Sequence, residues 1–272
     1  MTGHPTHRPC RLGAVAVLGW LAATAHAELS KEELAKLAQN PVANLVSVPL
    51  QNNTNFNVGP QDGTQNILNL QPVVPFNLNA EWNLITRTIL PLVWQPGVNP
   101  GEGTTFGLGD LQFSAVLSPA QPHGWVWGLG AIVQAPTDTN GLGNKNWGLG
   151  PQAVILSMEK GSPWVYGALV NNVWSLSGNQ RGGRYNNFLI QPFVNYNLPG
   201  GTYIASSPIV TAAWDAPSGQ QWTVPLGIGV GHIFHLGKLP LNAQLAGYYN
   251  VVHPDDAANW QLRFQLQVMF PK

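Results

Sequence analysis

The side chains best suited to catalysis or metal binding are a few histidines with acidic neighbours. His232 and His235 are three residues apart, so on a β-strand they face opposite sides and cannot share a metal ion. His253 precedes Asp255 and Asp256, and a histidine beside an acid is a pairing that hydrolases use. Because no G-x-S-x-G motif accompanies the cluster, a solvated loop explains it better. We therefore predict that the protein is not an enzyme, with no catalytic residue, metal site or cofactor.

Two glycine-rich stretches, 107–109 and 227–231, resemble phosphate-binding loops only superficially. Both lack the lysine and the following helix that such a loop needs. Charged residues make up only 9% of the chain and balance to a net charge of zero, so no basic patch is present. The single cysteine, Cys10, allows no disulfide. The sequence thus argues against nucleic acid as a partner.

The regularly spaced polar residues are mostly amides that alternate with apolar residues. We predict that they share the inner face of a sheet with three charged residues. The predicted inner-face residues are Asn69, Gln71, Arg87, Asp110, Gln112, Gln152, Gln191, Asn195, Gln244, Arg263 and Gln265. In one hypothesis they line a neutral, weakly selective passage, with Arg87, Asp110 and Arg263 as constriction charges. In the other they satisfy one another's hydrogen bonds inside a filled interior.

A period of two residues runs through the chain from residue 44 onward. In the last segment Trp260, Leu262 and Phe264 alternate with Gln261 and Arg263, which gives one apolar and one polar face. The pattern predicts twelve strands, each long enough for a tilted membrane crossing of about 9–11 residues. They are 45–58, 65–78, 82–95, 105–118, 124–136, 146–158, 163–176, 186–198, 202–214, 221–234, 241–252 and 260–270. The predicted fold class is therefore all-β: a closed antiparallel transmembrane β-barrel of about twelve strands.

The positions of the tryptophans favour a membrane over a soluble β-sandwich, whose core would bury tryptophan in mid-strand. Four lie at strand starts beside predicted short turns: Trp82, Trp125, Trp127 and Trp164. Six lie at strand ends beside longer loops: Trp94, Trp147, Trp174, Trp214, Trp222 and Trp260. Indole prefers the headgroup level of a bilayer. We predict that these residues form two membrane-interface girdles.

One observation opposes the barrel. Prolines fall inside the predicted strands, and seven of them are Pro72, Pro75, Pro91, Pro151, Pro192, Pro208 and Pro225. Proline removes a ladder hydrogen bond, and a closed barrel has no edge strand to accept it. Bulges would accommodate some of them, but the sequence does not explain all seven.

The N-terminus has the features of a secretory leader. Arg8 and Arg11 accompany an apolar stretch at 12–23, and Ala25-His26-Ala27 is a small-x-small cleavage site. The apolar stretch is too short for a spanning helix. We predict a signal peptide over 1–27.

A short helix follows the leader. Ser30 and Glu33 form a capping-box pattern at its start, and Asn40-Pro41 ends it. The predicted organisation is a helical segment at 28–43, either periplasmic or luminal, and an outer-membrane β-barrel over 44–272.

Several short segments are similar to a family of proteobacterial outer-membrane transporters related to the phenol-degradation MetA-pathway barrels, some of which carry the label neuromedin U. The segments are Gln39-Asn40-Pro41-Val42-Ala43, Trp82-Asn83-Leu84-Ile85 with Arg87-Thr88, Phe106-Gly107-Leu108-Gly109-Asp110, Trp147-Gly148-Leu149-Gly150-Pro151, Tyr166-Gly167-Ala168-Leu169, Gln191-Pro192-Phe193 and Phe270-Pro271-Lys272. The resemblance spans nearly the whole chain after the leader. It implies an outer-membrane barrel with a channel or transport role, and it supplies no catalytic residues.

The expected function is passive passage of small, largely uncharged or hydrophobic solutes across the outer membrane. The expected partners are outer-membrane lipids, a small-molecule solute and, during biogenesis, the barrel-assembly machinery. One alternative is a filled barrel with a structural or adhesive role that acts through its external loops. An outer-membrane enzyme is the weakest alternative, since its only candidate cluster is the one at His253.

Overall fold

The protein is described by a computed structural model that covers residues 29–122, 124–177 and 183–271. The predicted signal peptide lies outside the described residues. Helix α1 spans Lys31–Gln39. In chain order the strands are β1 (Val46–Val58), β2 (Gly63–Leu70 and Val73–Asn77), β3 (Trp82–Gln95), β4 (Thr105–Leu108 and Leu111–Pro119), β5 (Val126–Ala135), β6 (Gly148–Ser157), β7 (Trp164–Ser175), β8 (Asn186–Asn197), β9 (Thr202–Ser206 and Val210–Ala213), β10 (Trp222–Leu236), β11 (Leu239–Val252) and β12 (Trp260–Phe270).

The sheet closes on itself, which confirms the predicted twelve-stranded antiparallel barrel. Each strand pairs with the next, and β12 pairs with β1 from Phe270 opposite Val46 to Trp260 opposite Phe56. Both ends of the barrel domain therefore lie at the end with the shorter turns, which we call the turn end; the opposite end is the loop end. The tightest connection is the two-residue turn between Leu236 and Leu239, where the sequence predicted a longer one.

Alternate side chains are sorted between the two faces of the sheet. On β12, Trp260 and Phe264 are exposed, whereas Arg263 is buried and points inward. On β10, Leu226 and Ile228 project outward and are 59% and 64% exposed. Apolar side chains on the outside and polar side chains inside are the arrangement that a hydrocarbon environment selects.

On the outer face, a polar patch on β1 and β2 was not predicted from the sequence. Asn52 and Thr54 share the outward parity of Leu50 and Phe56. Asn52 Nδ2 donates to Thr54 Oγ1 at 3.0 Å, and Thr54 Oγ1 donates to Asn66 Oδ1 at 2.7 Å. Mutual hydrogen bonding lowers the cost of placing these groups in an apolar medium.

Aromatic rings cluster at both ends of the wall. At the turn end, Trp82 meets Trp127 with ring centroids 5.9 Å apart, and Trp164 meets Tyr196 at 4.8 Å. The other contacts are Trp125 with Tyr166 at the turn end, and Trp94 with Phe106, Trp214 with Trp222 and Phe188, and Tyr249 with Trp260 at the loop end. Among the predicted girdle residues, Trp125, Trp127, Trp147, Trp164, Trp174, Trp214 and Trp260 are exposed, and Trp82, Trp94 and Trp222 are half-buried.

Three strands that the sequence predicts as continuous are interrupted. The breaks lie at Gln71-Pro72 in β2, Gly109-Asp110 in β4 and 207–209 in β9. Only the break in β4 changes the register: Leu92 pairs with Leu108, but Ile89 pairs with Gln112. One extra residue on β4 is therefore accommodated as a bulge.

These breaks account for four of the seven prolines. Pro72 and Pro208 lie within breaks. Pro91 lies opposite the break in β4, where the Gly109 N–H donates to the Pro91 carbonyl oxygen at 2.9 Å. The register of β8 against β9 places Pro192 opposite Pro208. At each of these four prolines, the regular pairing with one of the two neighbouring strands is interrupted.

The other three prolines lie where pairing is lost or shifted. The β6–β7 ladder lacks regular pairs at Gly150 and Pro151, and a Cβ atom on Gly150 would collide with a carbonyl oxygen of β7. The β10–β11 register shifts between Val224 and Pro225. Pro75 lies beyond the last pair between β2 and β1. At each of the seven sites, pairing with one neighbouring strand is therefore already interrupted, shifted or ended, which is where a residue without an N–H costs the sheet least.

Helix α1 closes the turn end of the barrel. Its capping box forms as predicted: the Glu33 N–H donates to Ser30 Oγ, and the Ser30 N–H donates to a Glu33 carboxylate oxygen. Leu34 and Ala35 are fully buried in a cluster that includes Tyr203, Ile233 and Met269. The apolar edge of the helix thus packs into the turn-end opening of the barrel and excludes solvent there.

Polar contacts fix α1 to the surrounding turns. Gln39 Nε2 donates to Asn197 Oδ1 at 2.8 Å, and Glu32 Oε1 accepts from the Gly200 N–H at 2.6 Å. Lys36 Nζ donates to the Glu159 carbonyl oxygen at 3.1 Å. Within the described ranges, no helix has the length and apolarity to cross a membrane.

Candidate functional site in the barrel interior

The interior wall is built from polar side chains joined in short chains of hydrogen bonds. Tyr203 donates to Asn242 at 2.8 Å, Asn242 donates to Gln267 at 3.2 Å, and Gln267 donates to Ser47 at 3.1 Å. Nearer the loop end, Gln261 donates to Asn55 at 2.9 Å. Asn242 with Gln267, and Gln261 with Asn55, are directly opposite on neighbouring antiparallel strands. Tyr203 instead reaches Asn242 two strands away, across Gly231 of β10.

Three cavities inside the barrel wall border predicted inner-face residues, and the largest cavity of these three has a volume of about 380 Å³. Seven predicted inner-face residues border it: Asn69, Gln71, Arg87, Asp110, Gln112, Gln152 and Gln191. Apolar side chains from the same strands, including Ile67, Ile89 and Leu189, contribute the rest of its wall. The cavity is thus part amide and part hydrocarbon.

A second cavity of about 140 Å³ lies toward the turn end and is floored by Leu37, Ala38 and Gln39 of α1. It is bordered by the predicted residues Asn195, Gln244 and Gln265. Four residues border both this cavity and the larger one: Gln51, Gln71, Arg87 and Gln191. We call these four residues the neck.

A third cavity of about 340 Å³ opens at the loop end and contains Arg263 in its wall. Arg263 Nε donates to Asn53 at 3.0 Å, and its guanidinium carbon lies 4.7 Å from the centre of the Tyr248 ring. Its terminal nitrogens donate to the Ser207 carbonyl and to Gln261. Arg263 is therefore held by four groups of the wall.

Arg87 in the neck has fewer partners. Its Nη2 donates to Gln71 Oε1. Its Nε is buried and has no hydrogen-bond partner among the described residues. Two arginines on the same inner surface thus have different environments, which their sequence positions did not indicate.

Asp110 connects the wall to the external loop 136–147. One carboxylate oxygen, Oδ2, accepts from Gln134 Nε2 at 2.9 Å and from the Asn144 N–H at 2.6 Å. Leu142, Gly143 and Asn144 border the largest cavity. The loop is therefore folded over the interior and covers part of it.

A buried tyrosine makes a further contact with loop 136–147. The Tyr185 hydroxyl donates to the Asn146 carbonyl oxygen at 3.0 Å. Burial, and secondarily the charge of Asp110, raises the pKa of Tyr185 to about 12, so the hydroxyl keeps its proton at neutral pH. The sequence analysis named neither Tyr185 nor the loop residues, because no periodic pattern marks a loop that folds inward.

The sequence analysis also omitted several inward polar residues. They are Gln51, Asn53, Gln134, Asn242 and Gln267, all buried. Their signal was present in the sequence, since Gln51, Asn53 and Asn55 alternate along β1 with the same parity.

The histidines do not form a reactive cluster among the residues that the structure describes. His253 donates through Nδ1 to the Pro254 carbonyl at 2.8 Å, and Asp255 accepts from Gln220. His232 is exposed on the outer side and lies 2.9 Å from Thr202 Oγ1. No group of three or more metal-ligating side chains occurs within the described ranges.

Neither family models nor curated proteins match this sequence. Among solved structures, the chain is similar to an outer membrane channel from Pseudomonas putida F1, with 20% identity, a TM-score of 0.65, and coverage of 85% of this chain and 97% of that one. It is also similar to the porin NanC, with 10% identity, a TM-score of 0.53, and coverage of 84% and 100%. A weaker likeness, with a TM-score of 0.44 and 14% identity over 90% and 99% of the two chains, is to outer membrane phospholipase A from Escherichia coli.

The two stronger likenesses show the fold, which is a closed β-barrel of the outer-membrane type. The apolar outer wall and the aromatic ends agree with this fold, since a lipid bilayer requires both features. The protein is thus a β-barrel of the outer membrane.

Proposed function

We propose that this barrel is a passive channel for small, largely uncharged or hydrophobic solutes. The observation that supports the proposal is the pair of interior cavities that meet at the neck. Their walls are amides and hydrocarbon with few charges, and such walls present a low electrostatic barrier to a neutral solute. The solved channel from P. putida and the porin NanC share the fold, which makes a transport role for this chain the first one to test.

The dimensions of the interior set the size of the solute. A cavity of about 380 Å³ is at the small end of the range for ligand sites in proteins. Helix α1 floors the smaller cavity, so a solute leaves at the turn end only beside the helix or after the helix moves. The expected conductance is therefore small and intermittent.

Two measurements test the proposal on the purified full chain. We expect discrete single-channel openings in planar bilayers and swelling of proteoliposomes in benzamide or a small sugar. Gln191→Trp, which fills the neck, should slow swelling, whereas Gln220→Trp in an external loop should not. Absence of openings and of swelling in the folded wild-type barrel would contradict the proposal.

A filled barrel is the second candidate function, and the cluster around Leu34 and Ala35 favours it. In that case the external loops carry the activity, and the interior amides serve only one another. The same recordings decide between the two candidates, because a filled barrel gives no channel openings. If the barrel is filled, its binding to surfaces should depend on the external loops.

We also propose the route by which the chain reaches the membrane. Cleavage after Ala27 would release a mature chain that starts at Glu28, with the barrel beginning near residue 44. The exposed aromatic Phe270 near the terminus is the proposed signal for the barrel-assembly machinery. N-terminal sequencing of the mature protein tests the cleavage, and Phe270→Ala with a reduced yield of folded barrel tests the signal.

A further inference from the structure

The neck contains a half-buried arginine, Arg87, whose Nε is fully enclosed and whose charge no described residue compensates. Arg87 borders both main cavities, its Nη2 donates to the neutral side chain of Gln71, and its Nε has no partner among the described residues. Taking an unpaired charge out of water costs free energy, and this cost is recovered when an anion is bound. The guanidinium plane offers such an anion two parallel N–H groups.

Arg263 shows that the wall of this barrel can give every guanidinium nitrogen of a luminal arginine an acceptor. Asn53, Gln261 and the Ser207 carbonyl accept from its guanidinium, and Tyr248 lies against its face. The unfilled donor capacity at Arg87 is therefore specific to the neck. It also supplies a control on the same inner surface.

The other walls of the largest cavity define the rest of the ligand. Ile89, Ile132 and Leu169 give an apolar surface, and Gln112 and Asn171 give neutral hydrogen-bonding groups. Asp110 borders the same cavity and is the single carboxylate there among the described residues. Its negative charge disfavours a ligand with a second anionic group.

We infer that the neck is a binding site for small amphipathic monoanions, namely a carboxylate on an apolar body, with the carboxylate at Arg87 and the body in the largest cavity. The inference rests on the proposed function in that the site lies on the proposed solute path. It adds a preferred class of solute to a passage otherwise suited to neutral ones.

The test compares benzoate with its neutral analogue benzamide on the detergent-solubilised full chain. Binding is measured by titration calorimetry or ligand-observed NMR. We expect wild type to bind benzoate more tightly than benzamide, and Arg87→Gln to weaken benzoate at least about tenfold, the usual effect of losing a hydrogen bond to a charged group. Benzamide binding should be unchanged in Arg87→Gln, and Arg263→Gln should bind benzoate like wild type.

Two further measurements keep the inference falsifiable. Heat-modifiable gel mobility establishes that each variant is folded, and Arg87→Lys should restore part of the benzoate affinity because it keeps the charge but loses the planar fork. Equal benzoate binding by folded wild type and Arg87→Gln, or an equal loss in Arg263→Gln, would overturn the inference.

Solute flux separates this inference from the proposed function. Proteoliposome swelling in benzamide without Arg87-dependent benzoate binding would leave the channel standing and overturn the site. Arg87-dependent binding without swelling in either solute would support the site and overturn the channel.

Discussion

Pro192 of β8 lies opposite Pro208 of β9, because Ile190 pairs with Val210 and Val194 pairs with Ser206 on either side of them. Neither ring carries an N–H, so neither strand can donate to the other at this point. The β9 backbone leaves the ladder there, and the carbonyl of Ser207 accepts from Nη1 of Arg263 at 2.9 Å. Where hydrogen bonding between β8 and β9 is interrupted, a backbone carbonyl thus becomes available to bind Arg263 in the lumen.

The position of a proline in a strand should therefore matter more than its presence. Pro192→Ala should assemble normally, whereas Val194→Pro should not, because Val194 is paired on both sides with Tyr166 and Ser206. An unsatisfied backbone group costs several kcal/mol in a bilayer. The yield of the compact form on unheated gels measures assembly, and equal yields would show that the breaks do not accommodate proline.

Lysine substitutions on the outer face of β10 should report the depth of each residue in the membrane. Ile228→Lys, in the middle of the strand, should destabilise the barrel by about 2–4 kcal/mol, while Leu236→Lys, beside the turn, should cost only about 0–1 kcal/mol. Both residues are exposed on the same face, at 64% and 71%. Urea unfolding from vesicles gives the two free energies. Similar losses of unfolding free energy in the two variants would mean that the hydrocarbon core of the membrane is not centred on the middle of β10.

The contact between Glu32 and Gly200 should make the docking of α1 pH-dependent. The backbone hydrogen bond from Gly200 holds the pKa of Glu32 below its ordinary value of 4.5. A lowered pKa means that the contact stabilises the docked helix above pH 4.5 and that this contribution is lost as the pH falls through the lowered value. Amides of α1 should therefore exchange hydrogen faster in Glu32→Gln than in wild type at neutral pH.

At a pH low enough to protonate Glu32, the two proteins should exchange at the same rate. Glu102→Gln is the control, since Glu102 lies at the loop end and its pKa is lowered by a hydrogen bond from Asn99 instead. A difference between wild type and Glu32→Gln that persisted at low pH would contradict a carboxylate effect.

Removal of the Asp110 carboxylate should release the loop 136–147. Asp110→Ala takes away the acceptor for the Asn144 N–H and for Gln134 Nε2. Buried groups left without a partner cost about 1–3 kcal/mol each, so trypsin should cut at Lys145 roughly ten times faster or more. Asp138→Ala, in the same loop, is the control. Unchanged cleavage in Asp110→Ala would show that other contacts hold the loop.

Much of the barrel could be predicted from sequence because a bilayer imposes one simple pattern. Period-two alternation and tryptophans at strand ends located the strands within a few residues, and the same parity placed amides such as Gln152 on the inside. The interruption of β9 left no trace in the alternation, because its register is the same on both sides of the break, and Pro208 was its one sign in the sequence. The bulge in β4 did leave one: outward Phe106 and Leu108 have even numbers, whereas outward Leu111 and Phe113 have odd numbers.

The different environments of the two luminal arginines could not be predicted in the same way. Asn53 lies opposite Arg263 on the adjacent strand, and Gln261 is two residues away on the same strand. The third acceptor is the Ser207 carbonyl, which turns inward at the break in β9 and lies far from Arg263 in the chain, so no local pattern reveals it.

Because β1 and β12 form the closing pair, the wall is incomplete until the last strand has been synthesised. A chain that stops before Trp260 would expose two unpaired strands at once, one of them carrying Gln51, Asn53 and Asn55. Such open edges invite pairing with other chains. Premature termination near the C-terminus should therefore yield an aggregating polypeptide and not a slightly smaller pore.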